Sequence, residues 1–178
     1  MGGVSLEREV SFSSGRTVCD HIDTNIFEAT PIFQTINGAL YILPWRFLHR
    51  GRTSDFEHRL EKEAELISWD ELLKHIDFCF LAIHGRMAED GSVQGMLEIL
   101  NIPYSGSKVF GSAIGMDKIV QKEWLSNNGV LVAKGTSIKS KQIYSISESY
   151  IKTLINLNNL SFPLVVKPSG EGSSLGID

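Results

Sequence analysis

Apolar and polar positions change period several times along the chain, and each change marks an element. Val10, Val18 and Ile22 recur among small and polar residues, with Ser5, Glu7 and Glu9 ahead of them, so a helix is predicted over residues 11–22. Between Phe27 and Trp45 the apolar runs Ile32, Phe33, Ile36 and Leu40, Tyr41, Ile42 flank Asn37-Gly38, a strong hairpin signal. Residues 46–65 are rich in charge and hold no sustained period, which predicts a solvated loop with at most an exposed helical turn. Ser68 is placed to cap a helix over Trp69–His75. The run FCFLAIHG from Phe78 to Gly85 is continuously apolar, as a parallel strand buried on both faces must be. Helical spacing returns in Val93, Met96, Leu97 and Leu100. Beyond the Pro103–Gly106 turn it returns again in Val109, Ile114, Ile119, Trp124 and Leu125, ending at Asn127-Asn128-Gly129. The run Val130–Ala133, a helix near Ser145–Asn158 and a strand Pro163–Lys167 complete an alternation that predicts an α/β fold.

With 178 residues, 42% of them hydrophobic and 21% charged, the chain is long enough to bury a core in one or two small domains. Its net charge is -4 and its 17 Lys and Arg are scattered, so no basic stripe exists to neutralise a nucleic-acid backbone. No apolar run approaches the ~20 residues that span a bilayer, and Met1-Gly2-Gly3 does not open a secretory leader, so a cytoplasmic protein without a membrane partner is expected. Cys19 and Cys79 form no CxxC pair and sit among apolar neighbours, which predicts buried free thiols rather than a metal site.

Four clusters carry candidate chemistry. In VVKPSGEGSSLGI an apolar strand ends at Lys167-Pro168 and opens into a loop holding Gly170, Gly172, Ser173, Ser174 and Gly176. Glycines let a backbone present its N–H groups closely, serines add donors and Lys167 adds charge, so the loop suits a phosphate; a flexible turn is the competing reading. Its spacing is neither GxxxxGK[ST] nor GxGxxG before a helix. In IHGRMAEDGSVQG, His84 stands at the C-terminal end of an apolar strand, where open α/β sheets place ligands, and Glu89-Asp90-Gly91 lead into a helix. Here simple helix-entry electrostatics is the alternative. GGVSLEREVS opens the chain with two glycines, hydroxyls and the triplet Glu7-Arg8-Glu9, and MDK at Met116–Lys118 adds a lone helical lysine.

Together and in this order, the segments Gly2–Gly15, Ile83–Ser107, Ser112–Lys118 and Phe162–Ile177 resemble the D-alanine-D-alanine ligase family, a branch of the ATP-grasp enzymes. The stretch Phe27–Leu43 is similar to the family's strand-hairpin region, whereas residues 44–65 show no clear match. Met87-Ala88 stands where the family usually has glycine before Glu-Asp-Gly.

The resemblance implies a Rossmann-like N-terminal domain over residues 1–116 whose first strand is absent, and the beginning of an ATP-grasp domain over 117–178. It implies ATP-dependent joining of two D-alanines through an acylphosphate, for peptidoglycan precursor synthesis. Glu7 would hold the ammonium of the first D-alanine and His84 would lie near the reacting carboxylate. Lys118 and Lys167 would contact the ATP phosphates, with Gly172, Ser173 and Ser174 closing over them and Ser173 also bonding to Glu7. The Mg²⁺ ligands and the adenine pocket would lie beyond Asp178, so the 178 residues alone are expected to be inactive. A homodimer is implied. D-lactate or D-serine as second substrate, and a non-catalytic remnant, stand as alternatives.

Overall fold

The structure is a computed structural model that describes residues 1–173 and 175–177. It divides into two compact units, Met1–Met116 and Asp117–Asp178.

The first unit begins with Met1–Gly3, which run beside the first strand of the hairpin, and with helix α1 (Arg8–His21). The helix starts ahead of its apolar spacing because tertiary bonds hold its first turn. Arg8 pairs with Glu57, and Glu9 accepts from the backbone N–H and hydroxyl of Thr53. Its buried face is Ser11, Phe12 and Gly15, and a Cβ at Gly15 would lie 2.6 Å from the Met1 side chain. The hairpin forms as its sequence predicts. Strand β1 (Ile32–Gln34) pairs antiparallel with β2 (Leu40–Ile42), Phe33 facing Tyr41, and Gly38 turns the loop at φ 86°.

Residues 46–65 depart furthest from the predicted loop. They hold helix α2 (Trp45–Leu48), 3-10 turns at Thr53–Asp55 and Glu57–Arg59, helix α3 (Leu60–Glu63) and strand β3 (Glu65–Ile67), which pairs antiparallel with β2. Phe47, Leu48, Phe56 and Leu60 from this stretch join Phe12, Phe33, Tyr41 and Leu43 in the main core. The Phe56 ring lies 5.1 Å from Phe12, 5.3 Å from Phe33 and 5.2 Å from Phe47, centroid to centroid. The charges that hide this core in the sequence form its outer skin. Glu63 joins Arg46 and Arg59, whose guanidiniums lie 5.3 and 5.1 Å from the Phe47 ring centroid.

A second core cluster, with Leu40, Ile67, Leu72, Val93, Leu97 and Ile102, lies under α4 (Ser92–Ile99). Ser68 does not cap a full helix over Trp69–His75. Its N–H and hydroxyl bond to Glu71, holding that carboxyl down at about 2, and only a 3-10 turn at Leu72–Lys74 follows. Residues 78–85 are not a strand within a ladder: a single parallel bridge joins Cys79 to Tyr104, and Phe80 is 56% exposed. The named strands are all antiparallel, and among the described residues parallel pairing is confined to that bridge and Gly2–Gln34. Cys19 and Cys79 are free thiols, half-buried rather than buried, and burial raises the pKa of both.

The helix predicted through Val109–Leu125 is two helices, α5 (Val109–Met116) and, in the second unit, α6 (Lys118–Asn127). Asp117 makes the break. It adopts an extended ψ of 106°, and its carboxylate accepts from the N–H groups of Ile119 and Val120, a side-chain cap that starts a new helix. Helix α7 (Ser140–Ile143) and helix α8 (Glu148–Leu157) follow, α8 beginning where the Ser147 hydroxyl accepts from the N–H of Tyr150. Residues 130–133 and the predicted strand Pro163–Lys167 form no ladder among the described residues, and Val165 and Val166 are 70% and 69% exposed.

Candidate functional site

In the first unit the entry to α1 and the segment 82–89 come together. Glu7, at the N-cap position of α1, is only 6% exposed. Its neighbours in the charge triplet turn away, Arg8 and Glu9 anchoring to Glu57 and Thr53, so the triplet splits into one inward carboxylate and two structural contacts. Three serines fasten the helix entry to the next segment. Ser5 donates to the His84 carbonyl (2.7 Å), Ser11 donates to the Ala82 carbonyl (2.9 Å), and the Ser14 hydroxyl lies 3.0 Å from His84 Nε2. On its other side, His84 Nδ1 is 3.9 Å from Glu89 Oε1, while Glu89 Oε2 accepts from the Gly85 N–H at 2.7 Å. The imidazole is thus bracketed by a hydroxyl and a carboxylate.

Gly85 makes this closeness possible. At φ 78° it takes a backbone conformation that suits glycine, and a Cβ there would lie 2.6 Å from Glu7 Oε2 and 2.8 Å from Ser5 Oγ. Gln94, buried on the first turn of α4, donates to the Ala88 carbonyl at 2.9 Å and steadies the 85–91 turn. Within that turn Met87 sits at φ 67°, the left-handed region, and its N–H donates to Asp90 at 2.9 Å. Burial pushes the Asp90 carboxyl up, but bonds from Ser92 and from the Met87 and Ser92 N–H groups outweigh it, and its pKa falls below the ordinary value.

The second unit holds the other predicted residues. Lys118, on the first turn of α6, is tied to the Gly/Ser loop: its backbone N–H donates to the Ser169 carbonyl (3.0 Å), and its ammonium donates to the carbonyls of Ser169 and Glu171. The loop turns tightly there. Leu175 N–H donates to the Gly172 carbonyl at 2.9 Å, Ser173 stands at φ 47°, and a Cβ at Gly176 would lie 3.0 Å from the Pro168 ring. Lys167 is exposed, and Ser174 lies outside the described residues. Among the described residues no group of three His, Cys, Asp or Glu side chains gathers to hold a metal ion, and no helix is long and apolar enough to cross a membrane.

The structure brings Glu7, His84 and Glu89 into one cluster, and Lys118 against residues 169–171 in another. Ser14, Gly85 and Gln94 are given no role in the sequence reading, and Ser5 and Ser11 enter it only through the helix entry and the hydroxyls of the opening cluster. The spacing of Ser11 and Ser14, three apart on one helical face, is the signal that could have found two of them.

These features describe an α/β chain that places polar groups around a helix entry and around a lysine-held Gly/Ser loop. The model of the D-ala D-ala ligase N-terminus matches residues 1–107, and the chain belongs to this family. A D-alanine--D-alanine ligase of Bacillus anthracis is 36% identical over 177 residues, covering 99% of this chain and 46% of the relative. One from Chlorobium chlorochromatii is 33% identical, covering 99% and 52%. Among solved structures, the D-alanine-D-alanine ligase of Coxiella burnetii superposes with a TM-score of 0.81 at 27% identity, over 99% of this chain and 53% of that one. The VanG D-Ala:D-Ser ligase of Enterococcus faecalis superposes at 0.77 with 31% identity, over 99% and 52%. The chain spans about half the length of the curated relatives it matches.

Proposed function

We propose that this chain supplies the amino-acid side and part of the phosphate side of an ATP-dependent D-alanine-D-alanine ligase acting in peptidoglycan precursor synthesis in the cytoplasm. The observation that carries the reading is the inward Glu7 carboxylate, held at the α1 entry beside Gly85 in the cluster that Ser5 ties to His84. A buried carboxylate recognises an ammonium group, and an imidazole between a hydroxyl and a carboxylate can meet a reacting carboxylate or its acylphosphate. In the second unit, which we read as the start of an ATP-grasp domain, Lys118, Lys167, Gly172, Ser173 and Ser174 would serve the ATP phosphates. Backbone N–H groups and lysine ammoniums suit a polyphosphate whose charge spreads during transfer. Bound Mg²⁺ in the whole protein would supply the remaining charge neutralisation.

The test joins these residues to the C-terminal remainder of the Bacillus anthracis ligase and follows D-alanine-dependent phosphate release from ATP. Activity is expected, with Glu7→Gln losing about a hundredfold or more in kcat/KM, roughly 3 kcal/mol of transition-state binding. An inactive chimera that folds would favour the non-catalytic remnant. The VanG likeness motivates offering D-serine and D-lactate as second substrates in the same assay.

A further inference from the structure

Helix α1 turns a polar stripe toward residues 82–85. Ser11 and Ser14 follow Glu7 at the spacing i, i+4, i+7, the face on which a helix usually packs apolar side chains. Ser11 is fully buried, and its hydroxyl donates to the Ala82 carbonyl at 2.9 Å. Ser14 lies about one turn further on and meets a side chain, its hydroxyl 3.0 Å from His84 Nε2. A hydroxyl inside a helix ordinarily returns its proton to a carbonyl one turn back, as Thr17 of this helix does to Ser13 at 3.0 Å. Ser14 instead reaches a ring 70 positions along the chain.

The other ring nitrogen decides which way this bond runs. Nδ1 faces the Glu89 carboxylate at 3.9 Å, and a carboxylate there favours a proton on Nδ1 over a bare lone pair. With Nδ1 protonated, Nε2 of the neutral ring is an acceptor, so Ser14 is the donor. An unrestrained imidazole in water has the opposite preference, with its proton on Nε2. The Ser5 hydroxyl holds the His84 carbonyl at 2.7 Å, so α1 and its entry fix both the backbone and the ring of this residue. Glu89 Oε1 is too far from Nδ1 for a full hydrogen bond, and Glu89 Oε2 already accepts from the Gly85 N–H at 2.7 Å. The Nδ1–H is thereby left for an oxygen of a bound group.

We propose that Ser14 is a positioning residue: its hydroxyl donates to His84 Nε2 and holds the ring as the Nδ1–H tautomer, which presents one N–H to a carboxylate or acylphosphate oxygen of the amino-acid substrate. The tautomer stands on this geometry alone, whereas the use of its N–H on substrate rests on the ligase reading. Without the hydroxyl the ring reverts toward the Nε2–H form. A lone pair then replaces the donor at the place where negative charge on the substrate oxygen has to be met.

Two-bond proton–nitrogen correlation spectra of the 178-residue protein with isotope-labelled histidine read the tautomer directly, at a pH of about 8.5 where an imidazole of ordinary pKa is neutral. Among the five histidines, His84 is assigned by the pattern that disappears in His84→Gln. The Nδ1–H pattern is expected for His84 in the natural chain and in Ser14→Thr. In Ser14→Ala it should shift toward Nε2–H while far-UV circular dichroism stays unchanged, and Ser14→Cys, a weak donor of similar volume, serves if the alanine variant does not fold. An Nε2–H pattern in the natural chain, or a pattern that loss of the hydroxyl leaves unmoved, overturns the proposal. In the chimera with the Bacillus anthracis remainder, Ser14→Ala should lower kcat about tenfold, the scale of one hydrogen bond to a charged group, with KM for ATP unchanged and Ser14→Thr restoring most of the rate. A full rate in Ser14→Ala overturns the substrate role. A silent chimera alongside the expected spectra counts against the ligase reading and supports the tautomer assignment.

Discussion

Met87 occupies the left-handed region at φ 67°, in the turn that presents His84 and Glu89. A side chain with a Cβ pays about 1–2 kcal/mol there, because Cβ crowds the following carbonyl. Replacing Met87 by glycine removes that strain but adds about 0.5–1 kcal/mol of unfolded-state entropy. Little packing is lost, since Met87 is 51% exposed and belongs to neither core cluster, and the N–H donor to Asp90 survives. Met87→Gly is therefore expected to stabilise the first unit by roughly 0.5–1 kcal/mol, which raises Tm by about 1–4 °C for a protein of this size. Urea and thermal unfolding followed by circular dichroism would measure it. Met87→Ala is the control, because alanine keeps the Cβ and should gain nothing. A neutral or destabilising Met87→Gly, or an equal gain from Met87→Ala, would refute the argument that backbone strain sets the cost at this position.

Phe56→Ala, removing a ring that touches Phe12, Phe33 and Phe47, should cost about 3–5 kcal/mol and shift the urea midpoint accordingly; a loss under about 1 kcal/mol would contradict its central place in the core. Asp117→Ala removes the cap of α6 and should lower stability of the second unit by about 1 kcal/mol, seen as faster amide exchange at Ile119 and Val120, whereas Asp117→Asn should retain most of the protection. Asp90 has a lowered folded-state pKa, so its contribution is present above roughly pH 4, the unfolded value, and fades as pH falls through the folded value. Urea unfolding from pH 6 down to about pH 2 should therefore show a steeper acid loss in the natural chain than in Asp90→Asn, and identical slopes would exclude Asp90 as a contributor.

Much was legible in the sequence because it depends on neighbours along the chain. Asn37-Gly38 between apolar runs specifies a hairpin, since the left-handed turn needs residues such as glycine and the strands alternate locally. The order of the Gly2, Ile83, Ser112 and Phe162 segments carried the family, and with it the candidate residues Glu7, His84, Lys118 and Lys167. Other features depend on distant partners that local pattern does not encode. The charges of residues 46–65 read as a solvated loop, yet Arg46, Arg59 and Glu63 pair outside while Phe47 and Phe56 fill the core. Phe78–Gly85 has a strand's composition, but residues 103–105 offer it only the isolated Cys79–Tyr104 bridge and the bonds of Cys79 and Leu81, too few for a ladder. Asp117 looked like one charge in a long helix until its carboxylate capped a new one. The sequence by itself determined local conformation and ancestry, whereas tertiary structure decided which charges pair and that one carboxylate of the Glu7-Arg8-Glu9 triplet turns inward. Those outcomes are settled by contacts between residues tens of positions apart, where burial and hydrogen-bond satisfaction outweigh local preference.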